Sequence, residues 1–193
     1  MKKLIGLTGL SGSGKSAAAE YFEKLGCACF DCDAIAHRAL FDKDIKKQIT
    51  DSFGDGVLCG GEIDRRALGT IVFSDKGKLA VLNKIIHPYV VNVISELYQR
   101  SDREICIADG SEIESSGLYK KCDAVIVIEA SKETRLERIM RRDGISAQRA
   151  LSRINAQTPY SKKAIHILNE HGLKELYAEL DKAYAYITEV KNE

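Results

Sequence analysis

The sequence predicts an α/β fold built on a five-stranded parallel sheet, and three observations point to it. Short apolar runs alternate along the chain with longer amphipathic stretches, as in consecutive strand–helix–strand units. A glycine-rich loop follows the first apolar run and precedes a helical pattern. The 193 residues, 45% of them apolar and 30% charged, suit one domain with a sizeable core.

The apolar runs locate the five strands, which are expected at residues 4–8, 27–31, 105–109, 124–129 and 165–169. A first helix is expected from Lys15 to about Leu25, because Gly26 is a stop signal. Apolar residues at intervals of three and four predict a last helix, with a buried stripe formed by Leu173, Leu176, Tyr177, Leu180, Ala183, Tyr184, Ile187 and Val190.

The segment between the second and third strands is too long for one crossover helix. It carries helical patterns at residues 44–53, 65–73 and 79–98. We therefore expect a single domain over residues 1–193, with a helical lobe inserted at about 34–100 beside the sheet, placed to hold a second substrate. A lid is expected at about 138–160.

Composition excludes several classes of protein. With 29 Lys+Arg and 28 Asp+Glu the net charge is +1, so no bulk attraction to nucleic acid or anionic membranes is expected. The sequence also lacks a basic patch with interleaved aromatic residues, the pattern typical of a nucleic-acid-binding surface. No apolar run reaches the length of a membrane span, and the first one is too short for a signal peptide, which predicts a cytoplasmic protein.

The six cysteines would stay reduced in that compartment. Cys27, Cys29 and Cys32 follow a C-x-C-x-x-C spacing, and no second Cys/His cluster completes a tetrahedral zinc site. We interpret them as small buried residues rather than metal ligands.

The strongest motif is the loop Gly9 to Ser16, which matches G-x-x-x-x-G-K-[ST] between a strand and a helix. Its glycines allow positive φ angles that turn N–H groups toward phosphate oxygens, and the following helix adds its dipole. Lys15 can reach the β- and γ-phosphates, and the Ser16 hydroxyl can ligate Mg²⁺. The expected ATP-binding residues of this P-loop core are Ser11, Gly12, Ser13, Gly14, Lys15, Ser16 and Ala17.

Carboxylates end two of the predicted strands. Asp109 closes an apolar strand and could orient a metal-bound water, although an Asp at a strand-ending turn is also common. Asp33 follows the second strand, where a carboxylate can accept the proton of an attacking hydroxyl. The alternative is a helix cap, and Asp31 could support the turn while Asp33 serves as the base.

The predicted lid is basic. Arg138 and Arg142 lie four residues apart on one helix face and could neutralise charge that develops on the phosphates. The competing interpretation is a solvated helical face. Asn83 and Lys84 begin the nearest match to the guanine-reading motif N-K-x-D, which lacks its Asp, so a small-molecule kinase is favoured over a GTPase switch.

The order of these motifs resembles the dephospho-CoA kinase family over nearly the full chain. The resemblance rests on the phosphate loop, Asp31-Cys32-Asp33-Ala34-Ile35-Ala36, Gly61-Glu62-Ile63-Asp64-Arg65, Leu82-Asn83-Lys84-Ile85-Ile86-His87-Pro88 and Arg153-Ile154-Asn155-Ala156-Gln157. It implies a P-loop kinase that transfers the ATP γ-phosphate to the ribose 3′-hydroxyl of dephospho-CoA, with Mg²⁺.

The resemblance also implies roles for individual residues. Asp33 and Lys15 would be catalytic, and Arg65, His87 and Pro88 would join Asp33 in binding the acceptor.

The sequence departs from the family pattern in places. Ser111 to Ser115 replaces a stretch that usually ends in a defined Glu, His37 replaces an Arg, and Leu10-Ser11 replaces Gly-Ile. Two alternatives therefore stay open, another P-loop small-molecule kinase and a catalytically silent nucleotide-binding paralogue.

Overall fold

The computed structural model describes residues 1–189 of the chain. Its strands are β1 (Lys3–Gly9), β2 (Ala28–Asp31), β3 (Leu58–Cys59), β4 (Glu62–Ile63), β5 (Ile105–Asp109), β6 (Ala124–Glu129) and β7 (Ile165–Leu168). Its helices are α1 (Lys15–Lys24), α2 (Cys32–Ala39), α3 (Lys43–Phe53), α4 (Arg65–Val72), α5 (Lys76–Arg100), α6 (Lys132–Asp143), α7 (Ala147–Asn155) and α8 (Leu173–Glu189).

The chain divides into two compact units. One contains residues 1–30 and the chain from residue 101 onward, and the other is Asp31–Arg100. The lobe expected at about 34–100 falls within the second unit.

A five-stranded parallel sheet in the order β2-β5-β1-β6-β7 organises the first unit, which confirms the predicted fold class. The register pairs Leu7 with Asp109 across β1 and β5, and Gly9 with Ile128 across β1 and β6. Glu129 pairs with Leu168 across β6 and β7. The carboxyl ends of these four strands therefore meet at one edge of the sheet, where ligands bind in open α/β sheets.

The core of this unit lies between the sheet and the helices α1 and α8. Strand residues such as Ile5, Leu7 and Ile126 are fully buried, and Phe22 of α1 packs with them. The central strands β1, β5 and β6 are buried along most of their length, as is typical of parallel sheets, which explains why they could be located from continuous apolar runs.

The predicted stripe of α8 is confirmed in part. Leu176, Leu180, Ala183 and Ile187 are buried, whereas Leu173, the first residue of the helix, is 54% exposed and does not belong to the core. Val190 lies outside the described residues.

In the second unit, α2, α3 and α4 each pack against the long helix α5. Aspartates begin three of these helices. The carboxylates of Asp31, Asp42 and Asp64 accept backbone N–H groups of the first turns of α2, α3 and α4. The helix α5 continues through Pro88. The antiparallel pair of β3 and β4 was not predicted, because strands of two residues carry no measurable periodicity.

No helix within residues 1–189 is long and apolar enough to cross a membrane.

Candidate active site

The phosphate loop has the conformation that its glycines predict. Gly12 and Gly14 have φ angles of 82° and 104°, a region that L-residues rarely adopt. The Ser13 N–H donates to the Leu10 carbonyl at 3.0 Å, which closes the turn. A Cβ on Gly9 would lie 2.5 Å from the Ile128 carbonyl oxygen, so the close pairing of β1 with β6 also requires glycine.

Lys15 begins α1, and its ammonium group contacts the Asp109 carboxylate at the end of β5. The two side chains are only 18% and 15% exposed. Ser16 is exposed in the first turn of the same helix, and the side chain of Ala17 packs against the core. The structure thus brings together Lys15 and Asp109, which the sequence placed on separate elements.

Two side chains that follow β6 in the chain hold Ser11. The Arg135 Nε donates to the Ser11 carbonyl at 2.9 Å. The Gln157 Oε1 accepts the Ser11 N–H at 3.0 Å, and the Gln157 Nε2 contacts the Ser11 hydroxyl at 3.1 Å. Arg135 also donates to Gln157 Oε1 at 2.9 Å. Burial lowers the pKa of the Arg135 guanidinium.

Arg138 and Asn169 hold the next loop residues. The Arg138 guanidinium lies 3.4 Å from the carbonyl oxygens of Gly12 and Ser13. The buried Asn169 follows β7 and donates from Nδ2 to the Ser13 carbonyl at 2.7 Å. The expectation that Arg138 lies near the loop agrees with this placement, and its contact with nucleotide stays a prediction.

Arg142 lies elsewhere. Its guanidinium binds the Asp143 carboxylate in a two-point contact of 2.7 and 3.0 Å, and Arg153 of α7 binds the same carboxylate. The hydrogen bond from Arg142 is the main cause that lowers the pKa of Asp143 to about 2. The Asp143 carboxylate therefore joins the end of α6 to α7 through Arg153, and the hydrogen bonds of Arg142 go to Asp143 and not to the loop.

The helices α6 and α7, residues 132–155, form a hairpin with a small core of its own. Ile139, Ala150 and Ile154 are buried together in it. At the start of the hairpin, the Glu170 carboxylate accepts hydrogen bonds from Ser131 and Thr134, chiefly the Thr134 hydroxyl, and these lower the pKa of Glu170. These hydrogen bonds join the start of α6 to the residues that follow β7.

The atypical stretch 111–115 holds the chain segment that follows the hairpin. The Glu114 carboxylate accepts the backbone N–H of Ser161 at 2.7 Å and binds its hydroxyl, and Lys162 lies 3.5 Å away. The hydrogen bonds from Ser161 lower the pKa of Glu114. Glu112 instead contacts the Ser115 hydroxyl in an exposed turn. Glu114 thus has a structural role in this stretch.

The residues expected to bind the acceptor lie in the second unit. Asp33 is exposed in the first turn of α2, directly after Asp31, whose carboxylate accepts the Ala34 N–H at 2.8 Å. The Arg65 guanidinium lies 3.0 Å from His37 Nε2. Arg65 can only donate, so His37 accepts with its proton on Nδ1.

His87 and Pro88 both lie in α5, where His87 is half-buried and Pro88 exposed.

Sequence reasoning missed Arg135 and Asn169 and gave Gln157 no role. Two signals could have found them. Arg135 precedes Arg138 by three residues and so shares its helix face. Asn169 directly follows β7, whose carboxyl end lies at the same sheet edge as the loop.

Comparison with known proteins agrees with this site. The family model described as dephospho-CoA kinase matches residues 3–173. The dephospho-CoA kinase of Fusobacterium nucleatum subsp. nucleatum is 34% identical over 184 residues, covering 93% of this chain and 95% of its own. That of Bacillus licheniformis is 36% identical over 189 residues, covering 93% and 94% of the two chains.

Solved structures give the same result. The crystal structure of TT1252 from Thermus thermophilus superposes with a TM-score of 0.82 at 30% identity, covering 96% of this chain and 98% of its own. Dephospho-CoA kinase from Campylobacter jejuni gives 0.66 at 27% identity, covering 97% and 98%. The residues matched by the family model include all five strands of the parallel sheet and the phosphate loop, and this chain belongs to the dephospho-CoA kinase family.

Proposed function

We propose that this chain transfers the γ-phosphate of ATP to the ribose 3′-hydroxyl of dephospho-CoA and so forms coenzyme A. The observation that carries the proposal is the phosphate loop with Lys15 beside Asp109 at the carboxyl ends of β1 and β5. Family membership supports dephospho-CoA as the acceptor. ATP and dephospho-CoA are the two partners proposed.

Lys15 is proposed to hold the β- and γ-phosphates. The backbone N–H groups that follow Gly12 are proposed to bind phosphate oxygens. Phosphoryl transfer depends mainly on positioning and on neutralising charge, and both require a loop of fixed shape. The contacts from Arg135, Arg138 and Asn169 to the loop supply that shape. Arg138 also carries positive charge close to the loop.

The donor chemistry at the loop fits Mg²⁺. Ser16 offers a hydroxyl and Asp109 a carboxylate, and Mg²⁺ prefers such hard oxygen ligands together with phosphate oxygens and water. Within residues 1–189 no group of three or more His, Cys, Asp or Glu side chains could hold a metal ion. Mg²⁺ is usually bound through one or two protein ligands together with substrate phosphates. Bound Mg²⁺ would neutralise charge on the transferred phosphoryl group.

Asp33 is proposed to accept the proton of the attacking hydroxyl. Asp31 already caps α2, so Asp33 is not needed as the cap of that helix. Arg65, with His87 and Pro88, is proposed to contribute to acceptor binding. A cytoplasmic location is also proposed, in keeping with six cysteines that form no disulfide.

The test is mass spectrometry of purified protein incubated with Mg-ATP and dephospho-CoA. The wild-type chain should form coenzyme A only with Mg²⁺ present. Lys15→Ala should abolish the product while leaving the thermal unfolding midpoint unchanged within a few degrees, whereas Lys24→Ala, an exposed lysine of the same helix, should act as wild type. Normal turnover by Lys15→Ala would refute the role of this lysine.

The base is tested by a matched pair of substitutions. Asp33→Asn should lower turnover by roughly 10²–10⁴-fold, the usual effect of losing a general base. Asp44→Asn is the control, since Asp44 is also exposed in the first turn of its helix. ATP binding without any coenzyme A, in wild-type protein, would instead favour a silent paralogue. Phosphate transfer to a different acceptor would favour another small-molecule kinase.

A further inference from the structure

Ser11 is bound by two side chains at all of its polar atoms. Its N–H donates to Gln157 Oε1, its carbonyl accepts from Arg135 Nε, and its hydroxyl contacts Gln157 Nε2, all within 3.1 Å. Arg135 also bonds Gln157, so the three residues form a closed ring of hydrogen bonds. Such a ring restrains the two peptide groups that flank Ser11.

This ring of hydrogen bonds lies at the turn of the phosphate loop. Ser11 stands between Leu10, whose carbonyl closes the turn with the Ser13 N–H, and Gly12, whose φ angle is 82°. Restraining Ser11 therefore restrains the direction of the N–H groups that follow. Arg135 is 7% exposed and packs its backbone against Gly12, so the ring has little room to rearrange.

Gln157 comes from a different part of the chain from the loop that it holds. It lies two residues after the end of α7, the second helix of the hairpin with its own small core. Its two hydrogen bonds to Ser11 therefore join the far end of that hairpin to the phosphate loop, whereas Arg135 joins its near end.

We propose that Gln157 is a positioning residue that keeps the phosphate loop in its nucleotide-binding conformation and couples the α6–α7 hairpin to ATP binding. The proposal rests on the proposed function for the identity of the nucleotide. Because Gln157 acts through Ser11 and not on the reacting atoms, its loss should weaken ATP binding and spare the chemical step.

The experiment measures the dissociation constant of Mg-ATP by calorimetry, without acceptor, for Gln157→Ala, Ser11→Ala and the double variant. Gln157→Ala removes two bonds to Ser11 and should weaken ATP binding roughly tenfold, and Ser11→Ala removes one and should weaken it by roughly threefold. In the Gln157→Ala background, Ser11→Ala should have no further effect, because its partner is already absent.

The control is Gln148→Ala, an exposed glutamine of α7, which should bind ATP as wild type does. In turnover assays, Gln157→Ala should raise the KM for ATP by the same roughly tenfold factor and keep kcat within about twofold. A merely structural residue would lower the unfolding temperature without this division between KM and kcat.

Two results would overturn the proposal. One is unchanged ATP affinity in Gln157→Ala, and the other is fully additive effects of the two substitutions. If Gln157→Ala does not fold, unchanged affinity in Ser11→Ala alone would refute it. Binding measured without acceptor is independent of coenzyme A formation, so failure of the proposed function would be visible separately as absence of product from the wild-type chain.

Discussion

Replacing Asn169 by Ala should destabilise the protein through the phosphate loop. The Asn169 side chain is buried, 4% exposed, and its Nδ2 donates to the Ser13 carbonyl at 2.7 Å. Ser13 is itself fully buried, so water cannot replace the lost donor. Leaving a buried carbonyl without its main partner costs about 1–3 kcal/mol. The guanidinium of Arg138 lies 3.4 Å from the same carbonyl and offers only a weak substitute.

A cost of about 2 kcal/mol corresponds to a fall of roughly 4–8 °C in the unfolding midpoint for a chain of this size. Thermal unfolding followed by circular dichroism measures it directly. Asn155→Ala is the matched control, because Asn155 is exposed at the end of α7. We also expect weaker ATP binding by Asn169→Ala, since the Ser13 peptide belongs to the loop.

An unfolding midpoint for Asn169→Ala within about 1 °C of the wild-type value, with the control equally unaffected, would refute this reasoning. It would mean that the loop does not depend on the Asn169 amide for the position of Ser13. A fall in the midpoint of both variants would instead point to a general effect of removing asparagine amides.

Three further predictions concern other parts of the chain. Gly9→Ala should destabilise by about 1–3 kcal/mol in urea unfolding, because its Cβ would collide with the Ile128 carbonyl; unchanged stability would refute the close pairing there. The Asp143 carboxyl should titrate by NMR at a pKa of about 2. Its native pKa is depressed, so its contribution to stability is full above the unfolded value near 3.8 and disappears as the pH falls through about 2. Arg142→Ala should shift that titration upward, and an unshifted titration would contradict the pairing. Iodoacetamide should alkylate the exposed Cys59 before the other five cysteines, counted by mass spectrometry before and after denaturation; early modification of buried thiols would be contrary evidence.

The central strands β1, β5 and β6 could be predicted from sequence because they are buried on both faces. Continuous apolar runs such as Ile105 to Asp109 stand out against amphipathic helices, and all five predicted strands agree with the structure to within one residue at each end. The difference is largest for β1, which extends one residue further at both ends, to Lys3 and Gly9. The side chain of Lys3 is buried although it is charged, and its ammonium group donates to the Ile187 carbonyl at 2.6 Å.

The phosphate loop could be predicted from the sequence, whereas the side chains that hydrogen-bond to it could not. The motif depends on local chain geometry, so eight residues suffice to recognise it. The contacts of Arg135, Gln157 and Asn169 join residues separated by more than 100 positions, and no local pattern records such pairs. Helical spacing indicated that Arg138 and Arg142 share a face, but it could not show that Arg142 and Arg153 both bind the Asp143 carboxylate.

The central place of β1 in the sheet has a consequence for the growing polypeptide on the ribosome. Its pairing partners are β5 and β6, about 100 residues further along the chain. At typical elongation rates of about 5–20 residues per second, β1 waits on the order of ten seconds for β5 to be made. The helices of Asp31–Arg100 meanwhile have all their sequence available. An apolar strand left open for that time is a natural substrate for chaperones that shield nascent chains.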